Sequence, residues 1–315
     1  MPRHAFIFPG QGSQSVGMGR DLAAAFAPAR EVLQEVDDTL RHKLSKLMFE
    51  GPAEELTLTE NAQPALMAVS LAVLRVLEHE GRFLLPQRAV LVAGHSLGEY
   101  SALAAAGSFG IAQAARLLRL RGQAMQAATP PGVGAMAALL GADLALAREI
   151  CALAAAAGEI VEPANDNGGG QVVISGDKAA VERAVELARS KGVKRAMLLP
   201  VSAPFHCALM RPAAEAMEQA LHAEVIAAPS VPLIANVTAA KATEAADIRD
   251  LLVRQVTGTV RWAESVRTMT SMGVDSFIEL GAGKVLAGLV RRIAPDAAAA
   301  SAGTPAEIET ILKTL

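Results

Sequence analysis

The chain has 315 residues, enough for about two domains, or one large domain with an insertion, at roughly 150 residues each. Hydrophobic residues make up 52% and charged residues 19%, a balance that supplies a large core and excludes a disordered chain. With 29 basic against 32 acidic residues, a net charge of -3 and only 3% aromatics, the chain has neither the positive field nor the stacking platforms for nucleic acid, and no general attraction to anionic membranes.

In chain order, residues 5–8 read as a short buried strand, ended by Pro9-Gly10. The start up to Gly10 contains no signal-peptide apolar run, so a secretory leader is not expected. A Gly-rich loop from Gly10 to Gly17 follows, then helical sequence from about Asp21. Residues 65–77 have helical length with Pro64 near the first turn; Ser70 and Arg75 interrupt this stretch, and it is too short to span a bilayer. Residues 88–93 form a compact strand pattern leading into Gly94-His95-Ser96-Leu97-Gly98, with Ala-rich helical sequence directly after.

Between about Pro130 and Pro200 the texture changes. A strand is expected at 133–140, a helix at 143–157, a short strand at 160–163, a turn at 165–170, a strand at 171–175, a helix at 177–191 and a strand at 194–201. That βαββαβ order is the ferredoxin-like unit, bounded by Pro130-Pro131-Gly132 and Pro200. We read it as an insertion, residues 130–200, in a larger α/β domain made of 1–129 and 201–315. The remainder returns to alternation: strand 233–237, helix 246–256, strand 276–280, helices 285–293 and 306–315, with one low-complexity stretch at 297–300.

The nucleotide motifs fail. Gly10-x-Gly12-x-x-Ser15 lacks the third glycine of a dinucleotide fingerprint, Met18 stands where a P-loop needs Lys, and Gly283-Lys284 has neither the upstream Gly nor a following hydroxyl. Cys151 and Cys207 lie far apart without CxxC or zinc-ligand spacing, and His4, His42, His79 and His222 lack partners at ligand spacing. No metal is expected, and the cysteine usage fits a reducing, cytoplasmic setting.

Gly94-His95-Ser96-Leu97-Gly98 meets the G-x-S-x-G pattern in the strand-turn-helix context that the pattern requires. The sharp turn lifts a serine hydroxyl above the sheet edge, and the helix N-terminus beyond it offers N–H groups where an oxyanion can form. A plain capping serine is the alternative. A serine nucleophile needs a base, and the histidines that follow it are His206 and His222. His206, after Val201-Ser202-Ala203-Pro204-Phe205, sits where a loop can point back at the elbow. His222 falls in a helical run at 213–225, on a solvated face.

Phe8-Pro9-Gly10-Gln11-Gly12-Ser13-Gln14, Gly94 to Tyr100, Arg121-Gly122, Pro204-Phe205-His206-Cys207 and Gly281 to Leu286 together resemble the malonyl-CoA:acyl-carrier-protein transacylases, nearly end to end. The resemblance implies an α/β-hydrolase-like large subdomain with an inserted ferredoxin-like small subdomain. It implies transfer of malonyl from malonyl-CoA to the phosphopantetheine thiol of acyl carrier protein through a malonyl-serine, for fatty-acid synthesis, without a cofactor. Ser96 would be acylated, with His206 as base and later acid, and backbone N–H groups of Gln11 and Leu97 as oxyanion hole. Arg121 would hold the malonyl carboxylate, and the Gln255 carbonyl would orient His206. Phe205, Asn167 and Gln63 are further candidates for the pocket wall.

Leu97 and Phe205 resemble the malonyl-preferring pattern, although many relatives have a small residue at the second position. Gly168-Gly169-Gly170 stands where Pro is common. From the residues alone, Arg121 also reads as a solvated helix-end cation beside Arg116 and Arg119. The acidic, transiently bound carrier would dock on a local basic patch, with Lys191, Lys194, Arg195, Arg291 and Arg292 as candidates. The chain is expected to be monomeric. A serine hydrolase or thioesterase on the same elbow, a non-catalytic carrier-binding subunit, and the same chemistry in polyketide assembly or malonate decarboxylation are the rival readings.

Overall fold

The computed structural model describes residues 2–130, 132–201 and 203–315; Pro131 and Ser202, used above to mark a boundary and a loop, lie outside the described residues. The strands are β1 His4–Phe8, β2 Ala89–Gly94, β3 Gly134–Leu140, β4 Val161–Gly168 and β5 Gln171–Asp177. They continue with β6 Arg195–Leu198, β7 Leu233–Ile234, β8 Lys241–Ala242, β9 Ser276–Leu280 and β10 Ala298–Ala302.

The larger sheet has the order β10-β9-β1-β2-β7-β8 and is parallel except for the β7–β8 pair. β1 is buried on both faces, as central parallel strands are. Phe6 and Phe8 point into the core under the helix Thr59–Gly81, while Ala5 and Ile7 face Trp262, Val266 and Phe277. The smaller sheet is antiparallel, β4-β5-β3-β6, with the helices Leu144–Ala154 and Lys178–Ser190 over a core of its own. Its four strands in chain order therefore stand 2-3-1-4 across the sheet, the ferredoxin-like arrangement inserted in an α/β whole.

Several elements differ from the sequence reading. The helix expected from residue 65 begins at Thr59, so Pro64 lies inside it. Burial of nearly every residue from Thr59 to Leu77 outweighs the hydrogen bond that Pro64 cannot donate. The turn expected at 165–170 is mostly strand: β4 runs to Gly168, and only Gly168, Gly169 and Gly170, all at positive φ, make the reversal. Conversely, the strand expected at 233–237 is paired only at Leu233–Ile234. Three of the four low-complexity alanines, Ala298 to Ala300, join Ser301 and Ala302 in the edge strand β10, where pairing with β9 overrides weak β-propensity. The helix Trp262–Ser271 has no counterpart in the sequence reading. Among the described residues, no helix is long and apolar enough to cross a membrane.

Candidate active site

The β2-to-helix connection is a tight elbow. Ser96 has φ 55, a left-handed conformation that costs a non-glycine residue on the order of 1 kcal/mol or more. Glycines on either side make it attainable: a Cβ on Gly94 would run into the Gly98 backbone, and one on Gly98 into the Phe8 carbonyl oxygen. The turn is pinned by Asn236, two residues past β7. Its Oδ1 accepts from the Ser96 N–H at 2.8 Å, and its Nδ2 donates to the Gly94 carbonyl at 2.6 Å. Sequence reasoning missed Asn236; the one available signal was a polar residue breaking the apolar run at a strand end.

Ser96 Oγ lies 2.8 Å from His206 Nε2. His206 Nδ1 donates to the Gln255 carbonyl at 2.9 Å, so the neutral ring carries its proton on Nδ1 and presents Nε2 as acceptor to the serine hydroxyl. His206 has φ 59, a second strained residue facing the first. Among the described residues no carboxylate orients the ring; a main-chain oxygen does. His222 is exposed on the helix Arg211–Ala223, away from the elbow.

Burial, followed by the positive charge of Arg121, pushes the His206 pKa down to about 3. The unfolded chain binds a proton near 6.5 that the folded site refuses, so this residue's contribution to stability is present above 6.5 and lost as pH falls towards about 3. The slope is about 1.4 kcal/mol per pH unit at most. His206→Gln should flatten it: urea midpoints measured at pH 7 and pH 5 should fall further for the native chain than for the variant.

Arg121 is not a solvated helix-end residue. It sits within the helix Ile111–Ala127 with only 1% of its surface exposed. Gly122 lets that helix close on its neighbour, since a Cβ there would lie 2.5 Å from Glu60 Cα. The guanidinium donates to Gln63 Oε1 and Gln255 Oε1, each at 2.8 Å, and to Ser96 Oγ at 3.2 Å. It also lies over the Tyr100 ring, and its Nε has no partner among the described residues. A buried, fork-shaped cation beside a nucleophilic oxygen, with a donor to spare, suits a carboxylate on the acyl group.

Gln255 contributes more than its carbonyl. Its Nε2 donates to the Ser96 carbonyl at 2.9 Å and to Glu99 Oε2 at 2.7 Å, so one residue touches serine, histidine and arginine alike. Gln11 is held by its side chain on Thr59 Oγ1 at 3.1 Å. Among the described residues, neither the Gln11 nor the Leu97 N–H has a hydrogen-bond partner, and Leu97 opens the helix Gly98–Ala105. Two unpaired amides, one on the residue after the serine and one on a residue lining the same cavity, are what an oxyanion requires.

A cavity of about 470 Å³ joins these groups, with Gln11, Ser96, Arg121 and Gln63 on one side and Asn167, Val173 and Met136 of the small subdomain on the other. Phe205 and His206 line it from the returning chain. Asn167 Oδ1 accepts from His95 Nε2 at 2.8 Å and ties the two walls together. All nine site residues named from the sequence therefore bear on this one centre: Gln255 and Leu97 through bonded or adjacent backbone, the rest on the cavity wall.

Residues 5–306 match the acyl transferase domain family model. The malonyl CoA-acyl carrier protein transacylase of Bacillus subtilis (strain 168) is 46% identical over 315 residues, covering all of this chain and 98% of that relative. The chain belongs to the malonyl CoA-acyl carrier protein transacylases, within the acyl transferase domain family. Among solved structures of the family, an acyl-carrier-protein-S-malonyltransferase from Bartonella henselae superposes with a TM-score of 0.97 at 56% identity, covering 99% of both chains. A malonyl-transacylase in complex with a type II PKS acyl-carrier protein matches with a TM-score of 0.95 at 44% identity, covering 99% of this chain and 100% of that one.

Proposed function

We propose that the chain moves the malonyl group of malonyl-CoA onto the phosphopantetheine thiol of an acyl carrier protein, in two half-reactions that share Ser96 and use no cofactor. The 2.8 Å Ser96–His206 contact beside a buried Arg121 carries this reading. His206 Nε2 takes the Ser96 proton as Oγ attacks the thioester carbonyl. The oxyanion rests on the Gln11 and Leu97 amides, and the malonyl carboxylate on Arg121. His206 returns the proton to the departing CoA sulfur. The carrier thiol then attacks malonyl-Ser96 by the same steps in reverse, so the exchange of one thioester for another runs both ways.

Every group named comes from one copy of the chain, which acts as a monomer in the cytoplasm, where the buried thiols of Cys151 and Cys207 stay reduced. The extender units supplied this way serve fatty-acid synthesis, the pathway to which the sequence resemblance points. Intact-mass measurement after malonyl-CoA tests the scheme: it predicts a malonyl adduct on Ser96, discharged by holo carrier protein. An adduct lost equally fast to water would instead favour a hydrolase.

Of the basic residues expected to receive the carrier, Lys191 is paired with Glu149 and Arg291 donates to the Ala299 carbonyl. Lys194, Arg195 and Arg292 are exposed without an ion pair among the described residues. Lys194 lies against Gly141 and Arg292 against Gly169, and Gly141 N–H bonds the Gly170 carbonyl at 2.6 Å. Both cations thus flank the triple-glycine turn, whose neighbours Asn167 and Gln171 line the cavity. Charge reversal at Lys194 and Arg292 should slow discharge onto the carrier by roughly tenfold or more at low salt and leave acylation by malonyl-CoA intact. Equal effects on the two half-reactions would remove the patch.

A further inference from the structure

Glu99 follows the elbow in the first turn of the helix Gly98–Ala105 and is fully buried. Its Oε2 accepts from Gln255 Nε2 at 2.7 Å and from the Asn236 N–H at 3.2 Å, whereas Oε1 is buried without a partner among the described residues. The serine–histidine chemistry makes no use of it. Yet Gln255 bridges it to Arg121, accepting from the guanidinium on Oε1 and donating to the carboxylate from Nε2.

We propose that Glu99 is the resident counter-charge of Arg121 and a specificity-determining residue: it takes up a proton from solvent when an acyl carboxylate docks on the guanidinium. The proposal rests on the malonyl-transfer reading above. A lone buried guanidinium is costly, and in the empty site an ionised Glu99 offsets that cost across the Gln255 amide. An arriving malonyl carboxylate supplies a second anion to the same cation, and two carboxylates around one guanidinium in a dry site favour protonation of one of them. The acyl carboxylate bonds the cation directly, so Glu99 is the one neutralised.

The surroundings leave Glu99 free to do so. The helix Ile111–Ala127 presents Arg121 to it, and its own helix presents Tyr100, whose hydroxyl is held protonated by burial. The helix Ala245–Thr257 and the segment after β7 present the uncharged Gln255 and Asn236, and His206, bonded to the Gln255 carbonyl, is neutral. Burial, opposed by these hydrogen bonds and by Arg121, brings the Glu99 carboxyl up to about 7, so its charge is adjustable near neutrality.

The consequence is a pH-dependent selectivity. Proton uptake linked to malonyl docking makes malonyl less favoured as pH rises, whereas acetyl-CoA, with the same CoA phosphates and no carboxylate, does not feel it. The acylation kcat/KM for malonyl-CoA divided by that for acetyl-CoA should fall between pH 6 and 8.5, about tenfold for each unit by which docking raises the Glu99 pKa. In Glu99→Gln, which keeps an acceptor for Gln255 and Asn236, the ratio should be flat, and any common loss of rate cancels. Calorimetry of Ser96→Ala in two buffers of different ionisation enthalpy should show proton uptake with malonyl-CoA in excess of that with acetyl-CoA at pH 7. A flat native ratio, equal proton uptake, or a slope that survives in Glu99→Gln overturns the counter-charge. Failure to acylate with either thioester would instead overturn the underlying transfer reading.

Discussion

Ser96→Ala should take no malonyl label from malonyl-CoA and should transfer to carrier protein at least ~10⁴-fold more slowly than the native chain. The size follows from the geometry. Ser96 Oγ is the atom to which His206 Nε2 and Arg121 Nη2 both point, and its removal leaves the neighbouring groups with no bond to form. Removing His206 should cost a similar factor, because the two act as a unit and their losses do not add. Intact mass and a single-turnover assay check both, and retained labelling in Ser96→Ala would exclude Ser96 as the acylated residue.

Arg121→Ala should lower malonyl transfer by about 1.5–3 kcal/mol for each charged hydrogen bond lost, or roughly ten- to a hundredfold per bond. Acetyl transfer should fall far less, so selectivity shifts towards uncharged acyl groups. Arg121→Lys keeps a cation without the planar fork and should recover only part of the loss. The measurement is kcat/KM for the two thioesters in the acylation half-reaction. Equal losses for both would mean that Arg121 supports the frame and does not hold a carboxylate. The frame is a real consideration, because Gln63 and Gln255 each give an amide oxygen to this guanidinium. The ratio, and not the rate, is therefore the decisive quantity.

Much of the fold was legible because its signals are local. The elbow announces itself through two glycines that only a tight crossing of β2 and the following helix requires. The small subdomain shows as alternating strand and helix periods, each with its own turn residues. Where the reading went astray, tertiary burial had outweighed local preference. Pro64 is tolerated inside a helix whose neighbours are all buried, and four alanines become a strand because β9 offers them a ladder. The helix Trp262–Ser271 packs Trp262 and Val266 under β1; its apolar positions 262, 263, 266 and 269 do repeat at helical spacing, a short pattern that the sequence reading passed over.

For the site, the chain by itself determined the chemical repertoire: one elbow serine, one histidine placed to reach it, and an arginine whose role depends on its surroundings. Residue type and nearby backbone sterics act over a few positions, which is why those choices can be read in one dimension. The tertiary structure alone decided that Arg121 is buried and not solvated, that Gln63, 58 residues away, and Gln255, 134 away, share it, and that Asn236 and Glu99 complete the frame. Desolvation and Coulomb interaction depend on distance and on exclusion of water, and both arise only when folding gathers segments far apart in the chain around Arg121. A near-neutral chain can thus carry a sharply charged centre: its net charge of -3 sums every residue of the chain, whereas the site turns on one cation, Arg121, kept from water.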